Sequence, residues 1–238
     1  PYTEGCASTD TLYLEIIDPY APVLVNETHP FYDGFEGNVL CWQLFNGNLT
    51  NKWYRGSAAH STGDKAIYIS NDNGTSNAYT TSNATSAVFA TKKFILPAGH
   101  FYFSYDWRCN AEADYDYMRV YLAPANTTFT AGTLPTGVSI TGTPSGWRVL
   151  DRGSQMNQTT SWGNYTAEVN ITDSAVYQVV FLWYNDSYVG SQPPAAIDEV
   201  RFVKSDCLRP TNVALQSVGT TTATLSWTGT AASYQVAY

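Results

Sequence analysis

Where apolar side chains recur between residues 31 and 205, they do so at every second position or in unbroken runs, and no stretch shows the three-to-four spacing of a helix. Alternation of this kind is the mark of strands, whose successive side chains point to opposite faces. In 101–107, Phe101, Phe103, Tyr105 and Trp107 share one face. In 115–122, Met118, Val120 and Leu122 take one side and Tyr115, Tyr117, Arg119 and Tyr121 the other. Ala66 to Ile69 reads as a strand stopped by the turn sequence Asn71-Asp72-Asn73-Gly74. Ser86 to Ile95 is closed by Leu96-Pro97-Ala98-Gly99, and 162–171 and 195–204 read as further strands. The segment 176–184 is apolar on both faces, as a central strand is. Residues 123–161, rich in Thr, Gly, Pro and Asn, form an irregular excursion. About ten strands without helices predict an all-β chain: an antiparallel β-sandwich of the jelly-roll kind.

Three units are expected. Residues 1–24 read as the tail of a preceding β domain plus a linker: Leu12, Leu14 and Ile16 alternate, and Pro19, Pro22 and Pro30 stiffen the connection. Residues 25–205 form the sandwich. Residues 206–238 open a new unit. The N-terminus lacks a signal-peptide pattern, and the chain reads as an internal piece of a longer exported protein. No apolar run approaches the roughly 18 residues of a membrane span.

Charged residues make up 13% of the chain, about half the usual share. With 18 Tyr and many Thr, Ser, Asn and Gly, this suits an extracellular β-protein. The net charge is −8 and the densest basic spot is Lys92-Lys93, which argues against binding to nucleic acid or to an anionic membrane. Cys6, Cys41, Cys109 and Cys207 show no CxxC spacing, and the three His stand apart, so a zinc site is not indicated. A Cys41–Cys109 disulfide and four unpaired thiols are both open. Nine Asn-x-Ser/Thr sequons mean either a glycosylated ectodomain or a composition that creates them by chance.

Two acidic motifs bracket the sandwich: Tyr32-Asp33-Gly34-Phe35-Glu36-Gly37 and Ala196-Ile197-Asp198-Glu199-Val200-Arg201-Phe202. By strand parity Asp198 faces the core with Val200 and Phe202, while Glu199 turns outward. A carboxylate on a core face needs a proton, an ion pair or a metal. Glu36 offers a second anionic ligand, and two carboxylates with backbone carbonyls suffice for calcium. The alternative is a surface pair of Asp198 with Arg201 or Lys65.

The order of these blocks resembles the bacterial cleaved-adhesin and choice-of-anchor J domains, whose jelly-roll plan eukaryotic MAM domains share. Asp33-Gly34-Phe35-Glu36-Gly37 is similar to their opening "DFEG", Gly63-Asp64-Lys65-Ala66-Ile67-Tyr68-Ile69-Ser70 to their second block, Tyr115-Asp116-Tyr117-Met118-Arg119-Val120-Tyr121 to their "D-x-(Y/L)-x-V-Y", and Ile197-Asp198-Glu199-Val200 to their closing "I-D-D-I". Ser86-Ala87-Val88-Phe89-Ala90-Thr91 departs from their "W-L-I-T-P". Arg209-Pro210-Thr211-Asn212-Val213, Ala223-Thr224-Leu225-Ser226-Trp227 and Tyr234-Gln235-Val236-Ala237-Tyr238 resemble the first strands of a fibronectin type III domain, cut short. Thr3 to Leu12 looks like the end of a small repeat common in surface proteins of Bacteroidetes. The resemblance implies structural calcium held by Glu36 and Asp198, with Asp33 and Asp64 as further candidates. It also implies a secreted or cell-surface adhesion module that binds host or matrix protein.

No nucleophile or metalloprotease motif and no P-loop occurs. Asp114 and Asp116 share a strand face and do not flank a cleft as a glycosidase pair does. A non-catalytic binder is therefore expected, with a glycan as the alternative ligand and a passive spacer as the third reading. The outward stripe Tyr115, Tyr117, Arg119 and Tyr121, joined by Tyr102, Ser104 and Asp106 of a neighbouring strand, suits pyranose stacking or a protein contact. The other reading is that loops cover it as a second core layer. Tyr184 to Tyr188 is a second candidate, and Trp42, Trp53, Tyr54 and Trp183 fall near predicted strand ends.

Overall fold

Twelve strands pass back and forth between two six-stranded sheets. They are β1 (Val23–Leu24), β2 (Phe31–Asp33), β3 (Gln43–Phe45), β4 (Lys52–Gly56), β5 (Ala66–Ser70), β6 (Ser86–Leu96), β7 (Gly99–Cys109), β8 (Tyr117–Pro124), β9 (Arg148–Val149), β10 (Thr159–Ile171), β11 (Ala175–Asn185) and β12 (Ala196–Lys204). The structure is a computed structural model and describes residues 18–82, 84–205, 210–229 and 234. Sheet A runs β1-β6-β11-β8-β9, with β3 also on β6; sheet B runs β10-β7-β12-β5-β4, with β2 also on β12. Most successive strands change sheet, the winding of a jelly roll. Among the described residues there is no helix, and the all-β sandwich fold is as expected. Among the described residues no helix is long and apolar enough to cross a membrane.

The main core fills the space between the sheets. Sheet B contributes Phe101, Phe103, Tyr105 and Trp107 of β7, Ile67 and Ile69 of β5, and Val200 and Phe202 of β12. Sheet A contributes Met118, Val120 and Leu122 of β8 and Val179, Phe181 and Trp183 of β11. Phe103, Tyr105, Phe181 and Phe202 meet as a chain of tilted and edge-on rings, geometries that suit aromatic quadrupoles. Trp42, Trp53 and Trp183, which fall near predicted strand ends, are all fully buried core and line no loop-borne site. Cys41 and Cys109 are free thiols, so that disulfide does not form. Cys6, Cys207, the strand expected at 12–16 and most of the Tyr234–Tyr238 segment lie outside the described residues. Strands β13 (Thr211–Val218) and β14 (Ala223–Thr228) make a separate two-stranded antiparallel sheet.

A second core lies on the far side of sheet A. Ala87, Phe89, Tyr117, Tyr121, Val180 and Leu182 point outward there and are covered by Phe129, Leu134, Val138, Ile140, Trp147 and Val149 from the excursion and β9. Of the two readings of the stripe, the second holds: loops cover it as a second core layer, and Tyr117, Arg119 and Tyr121 do not present an open binding face. Tyr117, Arg119 and Tyr121 are buried, and only Tyr115 stays exposed, at 56%. The reason is electrostatic as well as apolar. Arg119 Nε and Asp151 Oδ2 meet at 2.7 Å with both side chains at 0% exposure. Arg119 Nη1 also donates to the carbonyls of Ser139 and Gly142, and the Tyr121 hydroxyl donates to Gly142 O at 2.7 Å. Tyr102, Ser104 and Asp106 do not extend the stripe, because β7 belongs to sheet B.

Removing one partner of a buried ion pair strands the other charge, which costs about 3–5 kcal/mol. Asp151→Ala is expected to lose stability on that scale in urea unfolding. A joint Arg119→Met, Asp151→Leu variant is expected to lose much less.

Candidate functional site

Two constructions stand out, an acidic clamp on sheet B and a tyrosine-lined cleft at the end of sheet A. The clamp begins with a bulge. Asp198 of β12 lies opposite Asp106 of β7, and Arg201 lies opposite Ser104, so three steps on β12 match two on β7. The extra residue is Glu199, held at φ 52. A bulge of this kind breaks strict alternation. It corrects the parity expectation: Asp198 shares the outer face with Asp106, while Ile197, Val200 and Phe202 stay in the core.

Asp198 is nevertheless fully buried, because the β4–β5 loop, residues 57–65, lies over it. Its Oδ2 accepts the N–H groups of Ser61 at 2.8 Å and Thr62 at 3.1 Å, and its Oδ1 accepts that of Glu199 at 2.8 Å. Burial raises its pKa, against the pull of these donors. Like charges directly across a ladder repel; here the Ser61 hydroxyl donates to Asp106 at 2.6 Å, so one residue bridges both acids. Glu199 accepts hydroxyl hydrogen bonds from Thr62 and Tyr32 and pairs with Arg201. Arg201 thus pairs with Glu199, and the alternative surface pair of Asp198 with Arg201 does not form.

Glu36 meets the same loop from its other end. Its Oε1 accepts the N–H groups of Asp64 and Lys65, both at 2.8 Å, and these bonds lower its pKa. Gly63 sits at φ 61, in the left-handed region that favours glycine, and a Cβ there would fall 2.3 Å from Glu36 Oε1, so a larger residue would push the Glu36 carboxylate off the loop. Of the four carboxylates assigned to calcium, Glu36 and Asp198 thus converge on one loop. Asp33 is engaged elsewhere, accepting from Phe35 N and Trp42 Nε1, and Asp64 contributes its backbone N–H. Among the described residues no group of three or more His, Cys, Asp or Glu is arranged to hold a metal.

The cleft lies where the β7–β8 turn, the excursion and the end of β11 meet. It encloses about 380 Å³ and is lined by Asp114, Tyr115, Tyr117, Tyr184, Asp186 and the apolar side chains of Leu134, Val138 and Ile140. Tyr117 and Tyr184 are cross-strand partners with ring centroids 5.5 Å apart. Burial pushes the Tyr117 hydroxyl up to about 12, so it stays a donor at neutral pH. Asp114 takes φ 69 and accepts from Gln155 Nε2 at 2.6 Å; Asp186 accepts from Tyr188 N. Tyr188 is 76% exposed and is not part of the wall. The structure thus brings together Tyr115, Tyr117 and Tyr184 of the expected ligand residues. Asp186 falls within the second candidate segment, Tyr184 to Tyr188, whereas Asp114 and the excursion residues were not assigned to a ligand site from sequence.

Behind the cleft, Asp116 is fully buried. It accepts the Tyr79 hydroxyl at 2.5 Å and the Asp186 N–H at 2.9 Å. Desolvation raises its pKa to about 6 despite these donors, with Asp186 and Glu112 nearby adding to the rise.

No protein family's sequence profile matches the chain, and no curated protein sequence does. Solved structures similar in fold include the CBM22-1 xylan-binding domain of Paenibacillus barcinonensis Xyn10C, at 9% identity and TM-score 0.43, covering 74% of this chain and 94% of that one. The C-terminal family 22 carbohydrate binding module of Clostridium thermocellum Xyn10B shows 15% identity and TM-score 0.45, with 74% and 94% covered. The K1 cleaved adhesin domain of Lys-gingipain from Porphyromonas gingivalis W83 shows 14% identity and TM-score 0.42, with 74% and 99% covered.

A carboxyl whose folded pKa stands above its ordinary value favours folding in acid. Its contribution is complete below about pH 4 and is lost as pH rises through about 6. Asp116→Asn removes that term. In thermal melts the variant is expected to gain on the wild type between pH 4.5 and pH 7.5.

Proposed function

We propose that this chain is a non-catalytic binding module of a secreted or surface protein, and that it holds a glycan in the tyrosine cleft. The observation that carries this reading is the lining itself. Tyr115 and Tyr184 give aromatic faces, the buried Tyr117 backs them, and Asp114 and Asp186 place carboxylate acceptors beside them. Sugar rings stack on aromatic faces through their C–H groups, and their hydroxyls bond to such acceptors. Catalysis by the acids is disfavoured by Asp116, which is bonded inward to Tyr79 and Asp186 N and does not line the cleft. The test is a glycan array probed with the full chain, followed by calorimetry on any sugar that binds. Tyr115→Ala, an exposed change, is expected to weaken binding about three- to tenfold without altering the melting temperature. A blank array, or binding indifferent to Tyr115, overturns the reading in favour of a protein ligand or a spacer.

We further propose that calcium completes the clamp between Glu36, Asp198 and the β4–β5 loop. The convergence of both carboxylates on one loop supports this. Millimolar calcium is expected to raise the melting temperature, EDTA to reverse the rise, and Glu36→Gln to abolish it. A melting curve unmoved by EDTA sinks the assignment.

A further inference from the structure

The densest basic spot in the sequence, Lys92-Lys93, has no part in either construction above. Lys92 lies in line with the core residues Val88, Ala90, Phe94 and Leu96 of β6, and it is only 4% exposed. Its ammonium makes one hydrogen bond, to Cys41 O at 3.0 Å, and stands 5.6 Å from the centre of the Phe31 ring. The ion pairs among the described residues do not include it. An ammonium carries three donors and a full charge, and burying it without a paired counter-ion is costly; Asp33, the carboxylate that acts on it, is not ion-paired with it and accepts from Phe35 N and Trp42 Nε1. Desolvation accordingly lowers its pKa.

The sheet is open at this place. On one edge of β6, β3 pairs with residues 89–91 and β1 with 94–95, so no strand lies beside 92 and 93. A polar pocket of about 220 Å³ occupies the gap, lined by Lys92, Lys93, Gln43, Thr91, Tyr20 and Asp18, with Cys41 at its edge. The Asp18 carboxylate is engaged locally by Tyr20 N at 2.9 Å. Tyr20 is 47% exposed and lines the same pocket as the two lysines.

We infer that this gap is a second binding site, for the carboxylate of an acidic pyranose such as a uronic acid. Lys92 receives the carboxylate from below and Lys93 from the rim. Gln43 bonds to ring hydroxyls, and Tyr20 stacks on the ring. The site is separate from the tyrosine cleft and stands or falls independently of it.

The test titrates the full chain with glucuronate, with methyl glucoside as the neutral counterpart and acetate as the bare carboxylate, following the lysine side-chain amines by NMR. Glucuronate is expected to bind, more weakly as salt rises, and at least about tenfold more tightly than either control. Lys92→Met is expected to abolish binding while keeping or raising the melting temperature, and Tyr115→Ala to leave binding unchanged. Binding that survives Lys92→Met overturns the proposal, as does equal binding of methyl glucoside. Equal binding of acetate overturns the assignment to a sugar. Should Lys92→Met fail to fold, Lys93→Ala decides: unchanged affinity and no salt dependence overturn the site.

Discussion

The ion pair between Arg119 and Asp151 holds the outer half of this molecule together. Both charges are out of water, and both are saturated: the guanidinium bonds to the carboxylate and to two excursion carbonyls, while the carboxylate also accepts Val120 N and Gly153 N. Without such anchoring, a Thr- and Gly-rich segment has little reason to lie flat on a sheet. With it, Phe129, Trp147 and their neighbours cover the face of sheet A, and Leu134, Val138 and Ile140 become one wall of the cleft.

The long strands were legible because their periodicity runs over many residues. Phe101 to Trp107 leaves no choice of face or state, and Val176 to Tyr184, apolar on both faces, reads as a central strand. Strands β1 to β4 were not, since two to five residues are too few to show a period, and their pairing is set by neighbours far along the chain. The stripe on β8 read as solvent-facing because Tyr and Arg suit a surface as well as a covered face. What decided the matter was Asp151, whose partnership across 32 residues no local pattern records. The cleft was half legible: its tyrosines are conspicuous in the sequence, but the wall opposite them comes from a segment that reads only as irregular.

The closing motif shows a different limit. Parity assumes one residue per step, and the left-handed Glu199 adds a step. The acidic character of the motif was visible, but the face it takes was not. Once the bulge is in place, Asp198, Asp106, Glu199 and Glu36 all close on one short loop, whose N–H groups and hydroxyls answer each carboxylate in turn.

The cover on sheet A also bears on how the chain reaches this state. Val180 and Leu182, at the centre of the face that the excursion buries, belong to β11, which follows the excursion in the chain. The cover thus has no finished surface to dock on until the central strand has entered sheet A between β6 and β8. Cover and sheet must then form in one cooperative step, since long-range pairings of this kind gain little until their ends are joined. A wall assembled in that way cannot swing out on its own. It opens only when the central strand does, so the cleft it borders keeps its shape for as long as the sandwich stays folded.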